Sequence, residues 1–188
     1  ILNDDTNADD EATLRGMIEY YETYYETYGR SVELIVVEGS GPITDAAAAR
    51  ADAVKIDEEL DPFMVWGGPT LTNAFAEELA ARGIPCFSCG PGQTKEWYAE
   101  NAGLAYTVGK GPDQLDLLVA EYVGKRLAGD PAIHAGDEAM HSTERVFGRI
   151  WIESSADSIT ANERFEGYAA DNGFEIAESQ SYALDPAT

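Results

Sequence analysis

Apolar positions recur at spacings of three and four over residues 9–28, where Leu14, Met17, Ile18, Tyr21, Tyr25 and Tyr28 mark a helical stripe closed by Gly29. The pattern then changes. Residues 32–37, "VELIVV", form a short continuous apolar run, which predicts a strand buried on both faces. Glycine and proline fill the loop 38–44, and a helix is predicted over 45–58 with Asp45 as its cap. The same alternation repeats down the chain. Strands are predicted at 63–66, 84–88, 105–109 and 145–153. Helices are predicted at 70–82, 95–101, 112–128 and 157–172, and residues 174–184 form a last extended stretch. Residues 129–144 lack either period and read as an irregular surface loop.

Alternating helices and buried strands predict an α/β fold: a doubly wound, mostly parallel sheet with helices on both faces. In such sheets ligands sit beyond the carboxyl ends of the strands. That rule singles out the loops 38–44, 67–73, 88–94 and 109–114. The predicted order opens on a helix with no strand before it and stops just after a strand, so a piece of a longer protein is expected.

Charge and size narrow the possibilities. The 188 residues hold 35 Asp and Glu against 12 Lys and Arg, a net charge of −23. Such a surface repels phosphate backbones and anionic head groups, so neither nucleic acid nor a membrane surface is an expected partner. No run approaches the roughly 20 apolar residues of a membrane span. At 44% hydrophobic residues the chain has enough apolar side chains for a core without staples.

The stretch "MVWGGPTLTNAF", residues 64–75, concentrates the question of chemistry. A strand runs into Gly67-Gly68-Pro69, then Thr70, Thr72 and Asn73 precede a helix. The glycines let a ligand approach the backbone, and a helix N-terminus offers unpaired N–H groups. Thr70 and Thr72 serve equally as ordinary caps. The spacing is neither of the common phosphate-binding patterns. In "CFSC", Cys86 and Cys89 precede Gly90-Pro91-Gly92, which breaks a helix, whereas a redox Cys-x-x-Cys needs its first thiolate at a helix N-terminus. The pair reads as a buried strand cysteine and a loop cysteine, bridged if the protein is exported. Zinc needs about four ligands, and the two histidines, His134 and His141, lie far along the chain. Ser88 has no following helix, so it is no nucleophile elbow. Neither an enzyme, a metal site nor a cofactor is expected. The tyrosines 20, 21, 24, 25 and 28 cover more than one helix face, so part of that row is expected to be exposed.

Several stretches, taken in order, carry a resemblance. These are "GMIEYYETYYETYGRSVELIVVEG", "DAAAARADAVKIDEELDPFMVWGG", "ELAARGIPCFSCG", "YTVGKGPDQLDLLVAEYVGKRLAG" and "RVFGRIWIESSADSITANERFEGYAADNGFEI". The chain resembles the type I periplasmic solute-binding proteins of ABC transporters, the branched-chain amino acid binding group in particular. The resemblance implies two lobes closing on a small solute, with residues 1–144 as the first lobe, lacking its opening strand, and 145–188 as the start of the second. It implies an extracytoplasmic location and a membrane permease as partner. The solute class implied is an amino acid, an amide or a small organic acid. The implied ligand contacts are Gly68, Pro69 and Thr70, then Ser88, Cys89 and Gly90, then Gly109 and Gln114, with Glu153 on the second lobe. Cys89 departs from the small or hydroxyl residues common there in amino acid binders. A ligand-sensing module of the same fold and a Cys-x-x-Cys redox enzyme are the rival readings.

Overall fold

The computed structural model describes residues 7–69, 71–90, 92–154 and 156–183. Helix α1 spans Asn7–Tyr24, four residues short of the predicted end. Tyr28 and Gly29 follow with φ of 55° and 72°, a left-handed pair that turns the chain away. Helix α2, Ala46–Leu60, starts where predicted. The Asp45 carboxylate accepts from the backbone N–H groups of Ala47 and Ala48, satisfying two of the unpaired donors of the first turn.

Three short parallel strands follow: β1 (Val65–Trp66), β2 (Cys86–Phe87) and β3 (Ala105–Tyr106), in the order β1-β2-β3. Between them run α3 (Ala74–Ala81) and α4 (Lys95–Glu100), the latter capped by the Thr94 hydroxyl. The period of two sorts the strand residues. Val65, Cys86 and Ala105 are buried. The first two join Ala49, Ala53 and Ile56 of α2 and Phe75, Ala76 and Leu79 of α3 in one apolar cluster, with Trp97 of α4 against it. On the opposite face the ladder brings Trp66, Phe87 and Tyr106 side by side. Trp66 and Tyr106 are 45% and 47% exposed, so this face is open to solvent in part.

The predicted strand at 32–37 is corrected by the structure. Among the described residues that segment belongs to no ladder, and Val32 and Ile35 are 61% and 52% exposed instead of buried. The physical reason lies in pairing: a strand needs a hydrogen-bonding partner, and among the described residues β1, the edge strand nearest in sequence, pairs with β2 alone. The strand predicted at 63–66 shrinks for the same reason: Phe63 and Met64 are exposed, and the ladder begins at Val65.

The second half is built from α5 (Pro112–Arg126), β4 (Phe147–Ile152), α6 (Ala156–Asp171) and β5 (Ile176–Tyr182). Strands β4 and β5 pair in parallel as a separate two-stranded sheet. A one-turn 3-10 helix, Glu138–Ser142, lies in the stretch predicted to be irregular. Ala120 of α5 shares a small core with Ala169 and Phe174, with Phe147 and Ile176 packed against it. Helix α5 thus packs with α6, β4 and β5.

Candidate functional site

The three loops at the carboxyl ends of β1, β2 and β3 touch one another. After β1 the chain turns through Gly67 and Gly68, with φ of 74° and 155°. Gly68 is needed for a second reason: a Cβ there would lie 2.6 Å from the Phe75 ring. The backbone therefore passes directly over a buried aromatic residue, and Pro69 is buried beside it. Thr70 lies outside the described residues. Thr72 is buried and its hydroxyl accepts from the Ala74 N–H at 3.2 Å, so it caps α3.

The loop after β2 leans on the first. A Cβ at Gly90 would meet the Ala76 side chain at 2.9 Å, and one at Gly92 would meet Asn73 Oδ1 at 2.6 Å. The buried Gln93 side chain donates to the Glu77 carboxylate at 3.3 Å. The Tyr98 hydroxyl donates to the Gly90 carbonyl at 2.8 Å, and burial pushes the phenol pKa up. Cys86 and Cys89 form a disulfide, and both are buried. Between them Ser88 has φ of 58°, the left-handed region, where a non-glycine residue is strained. Its backbone N–H is held by the Tyr106 carbonyl at 2.8 Å. Among the described residues its hydroxyl has no hydrogen-bond partner.

The loop after β3 joins through backbone. The Asp113 carboxylate accepts from the Lys95 N–H at 3.3 Å, and a Cβ at Gly111 would sit 3.3 Å from the Gln93 carbonyl. Gln114 is used locally: its side chain accepts from the Gly111 N–H at 3.2 Å, capping α5. Gly109 is exposed, with its N–H 3.4 Å from the Thr107 hydroxyl. Glu153 ends the other sheet, exposed, with its N–H donating to the Tyr182 carbonyl.

The expected contact residues thus divide. Gly68, Pro69, Ser88 and Gly90 come together on one rim. Cys89 lies beneath that rim, bonded to Cys86, and Gln114 is engaged at a helix start. Sequence reasoning missed Gln93 and Tyr98, which tie the second loop in place. A lone amide among small residues in "GPGQT" was the available signal for Gln93.

Elsewhere the chemistry is sparse. Among the described residues no three His, Cys, Asp or Glu side chains converge as a metal site, and no helix is long and apolar enough to cross a membrane. His134 is exposed, and the exposed His141 ring meets the Ala135 carbonyl at 2.8 Å. A shallow pocket of about 170 Å³ lies between α1 and residues 32–34, and its lining includes none of the rim residues.

No protein-family model and no curated protein matches the chain. Solved structures do, and they match in fold. An ABC transporter substrate-binding protein from Desulfitobacterium hafniense, in complex with Leu, has a TM-score of 0.63 at 13% identity, over 97% of this chain and 48% of its own. A solute-binding protein of an ABC transporter from R. palustris, in complex with benzoate, has a TM-score of 0.63 at 13% identity, over 93% and 44%. The branched-chain amino acid transporter substrate-binding protein LivJ from Streptococcus pneumoniae, in complex with isoleucine, has a TM-score of 0.60 at 13% identity, over 91% and 43%. The fold is therefore that of the type I periplasmic binding proteins, and the chain spans about half the length of these structures.

Proposed function

We propose that the chain is part of a substrate-binding protein of an ABC transporter, which captures a small polar solute in a cleft between two lobes and passes it to a membrane permease. The observation that carries this reading is the rim itself. Two neighbouring strand-end loops place backbone turns and left-handed Ser88, whose hydroxyl has no partner among the described residues, at the carboxyl edge of a parallel sheet, where α/β sheets bind ligands. The fold likeness to solute binders supports it. The contacts we assign are Gly68, Pro69, Thr70, Ser88 and Gly90, with Gly109 at the margin and Glu153 on the second lobe. The buried disulfide fits an extracytoplasmic location. We place the lobe boundary before α5, because α5 shares its core with α6 and β5.

Magnitudes set the expected affinity. About three charge-assisted hydrogen bonds from one rim contribute roughly 5–9 kcal/mol. Association costs at least about 4 kcal/mol. The remainder, ~1–5 kcal/mol, corresponds to millimolar or weaker binding. A micromolar receptor needs the opposing lobe to close over the solute. Chemical-shift titration of the chain with leucine, isoleucine, benzoate and a panel of amides should therefore give saturable millimolar shifts centred on residues 67–69 and 88–90. A panel that moves no rim resonance up to about 50 mM, roughly fiftyfold beyond a millimolar Kd, would remove the reading.

A further inference from the structure

We infer that the Cys86–Cys89 disulfide is a positioning clamp for Ser88, so that ligand capture at the rim responds to thiol reduction; this rests on the solute-binding reading above. The bond closes a ring of four residues across the junction where β2 ends and the rim begins. Such a short ring restricts the unfolded chain far less than a long one, so its main effect is local. Its place in the fold shows what it restricts. Cys86 is anchored in the middle strand, paired with Val65 on one side and Ala105 on the other. Cys89 is buried, and its Sγ packs 3.6 Å from the Val65 carbonyl oxygen, a van der Waals contact that seats the far end of the ring against β1. Ser88 lies between these anchors in the left-handed conformation that a serine seldom adopts unaided. With the ring opened, that conformation has no covalent support. The non-covalent ties that remain are backbone ladder bonds, Ser88 N–H to the Tyr106 carbonyl and Gly67 N–H to the Phe87 carbonyl, and then the Tyr98 hydroxyl to the Gly90 carbonyl two residues further on.

Opening the ring is ordinary exchange chemistry. A dithiol such as dithiothreitol attacks one cysteine sulfur as its thiolate, and a mixed disulfide forms. The second reagent thiolate then displaces the protein sulfur. The reagent is oxidised to its cyclic disulfide, and each cysteine takes up one electron and one proton. Because both sulfurs are buried, attack waits for local opening.

The test compares the full chain oxidised, reduced with dithiothreitol, and reoxidised. Without ligand, amide hydrogen exchange at residues 88–90 and 92–93 should quicken on reduction at least tenfold more than at Ala49–Ile56 of α2 and Ala76–Leu79 of α3. Reoxidation should restore the slow rates. Uniform quickening, or none, overturns the clamp. In titrations with leucine and with benzoate, reduction should weaken binding at least fivefold, reversibly. Equal affinity in both states overturns the coupling to capture. If the oxidised chain binds neither probe, the solute-binding reading fails for these probes, and the clamp stands or falls on the exchange rates. A C86A/C89A variant should reproduce the reduced state. If it does not fold, reduction of the native chain decides.

Discussion

The two halves of the molecule hold themselves together differently. Around α2 and α3 the interior is apolar, with Phe75, Ala53, Ala76 and Leu79 at essentially zero exposure. Its ion pairs are short and lie at the margin. Arg82 bonds Asp57 at 2.7 Å and Glu78 at 2.9 Å, and those hydrogen bonds outweigh desolvation and hold its pKa above the usual value. Around α5 and α6 the apolar core is small, and charge fills the space beside it. Asp116 lies 3.9 Å from Arg149 and 3.7 Å from Arg164, and the Arg149 guanidinium sits 3.8 Å from the centre of the Phe165 ring. Arg149 Nη1 and Arg164 Nε are buried without a hydrogen-bond partner. Burial, the leading influence on both, lowers the Arg149 pKa and raises that of Asp116. Attraction is thus too weak to offset desolvation in the second half, whereas in the first, hydrogen bonding wins. An ion pair stabilises a fold only when its geometry repays the loss of water.

The largest expected effect breaks the first half. Leu79→Ala should cost about 3 kcal/mol through the lost transfer energy and the cavity left behind. A melting curve should show the α2–α3 half, a unit of roughly 100 residues, unfolding about 12–24 °C earlier. If the α5–α6 half moves with it, the two halves are one cooperative unit and the contrast drawn above is not an energetic one.

Next comes the charged cluster. Asp116→Asn removes the carboxylate that both guanidiniums face and leaves Glu166 near Arg149. Because desolvation outweighs the pull of both arginines on the Asp116 carboxyl, the substitution should be neutral or stabilising at neutral pH by urea denaturation. Replacing Asp116, Arg149 and Arg164 together by apolar residues should be neutral or stabilising. The sign with pH follows from the raised carboxyl. Asp116 favours the folded state at pH values below its unfolded pKa of 3.8, and this contribution is lost as pH rises through the higher folded-state value. The urea midpoint of Asp116→Asn should therefore fall less steeply above pH 3.8 than that of the native chain. An identical slope would show that desolvation of Asp116 does not govern this half.

Reduction of Cys86–Cys89 should bring the next loss, about 2 kcal/mol for a four-residue ring, confined to the transition of the first half. The smallest loss is Asp45→Ala, about 1 kcal/mol for a lost cap on α2. It should appear in the same transition as Leu79→Ala and leave the other unmoved.

Much of this fold was legible in the chain. Helices α2, α5 and α6 begin within a residue of their predicted starts, because a cap, a proline at the first turn and a 3.6-residue period are local signals. The glycine turn after β1 was equally plain, and Gly68 proved necessary for contact with Phe75. Of the proposed site, the sequence pointed to the loop that holds Ser88 and Gly90 at the end of β2, but serine is no marker of a left-handed backbone, and nothing in "SCG" shows that Cys89 turns inward.

Residues alone determined where the chain turns, which segments are helical and that the strands run parallel, since each depends on neighbours within a few positions. Whether an apolar run is a buried strand depends on a partner distant in sequence. For "VELIVV" no such partner stands among the described residues; Val32, Ile35 and Val36 are exposed, while Val37 packs half-buried against the first core. Tertiary structure also decided which hydroxyl caps a helix and which faces the rim, and whether two cysteines meet. Those outcomes are set by distances across elements, about which the one-dimensional pattern is silent.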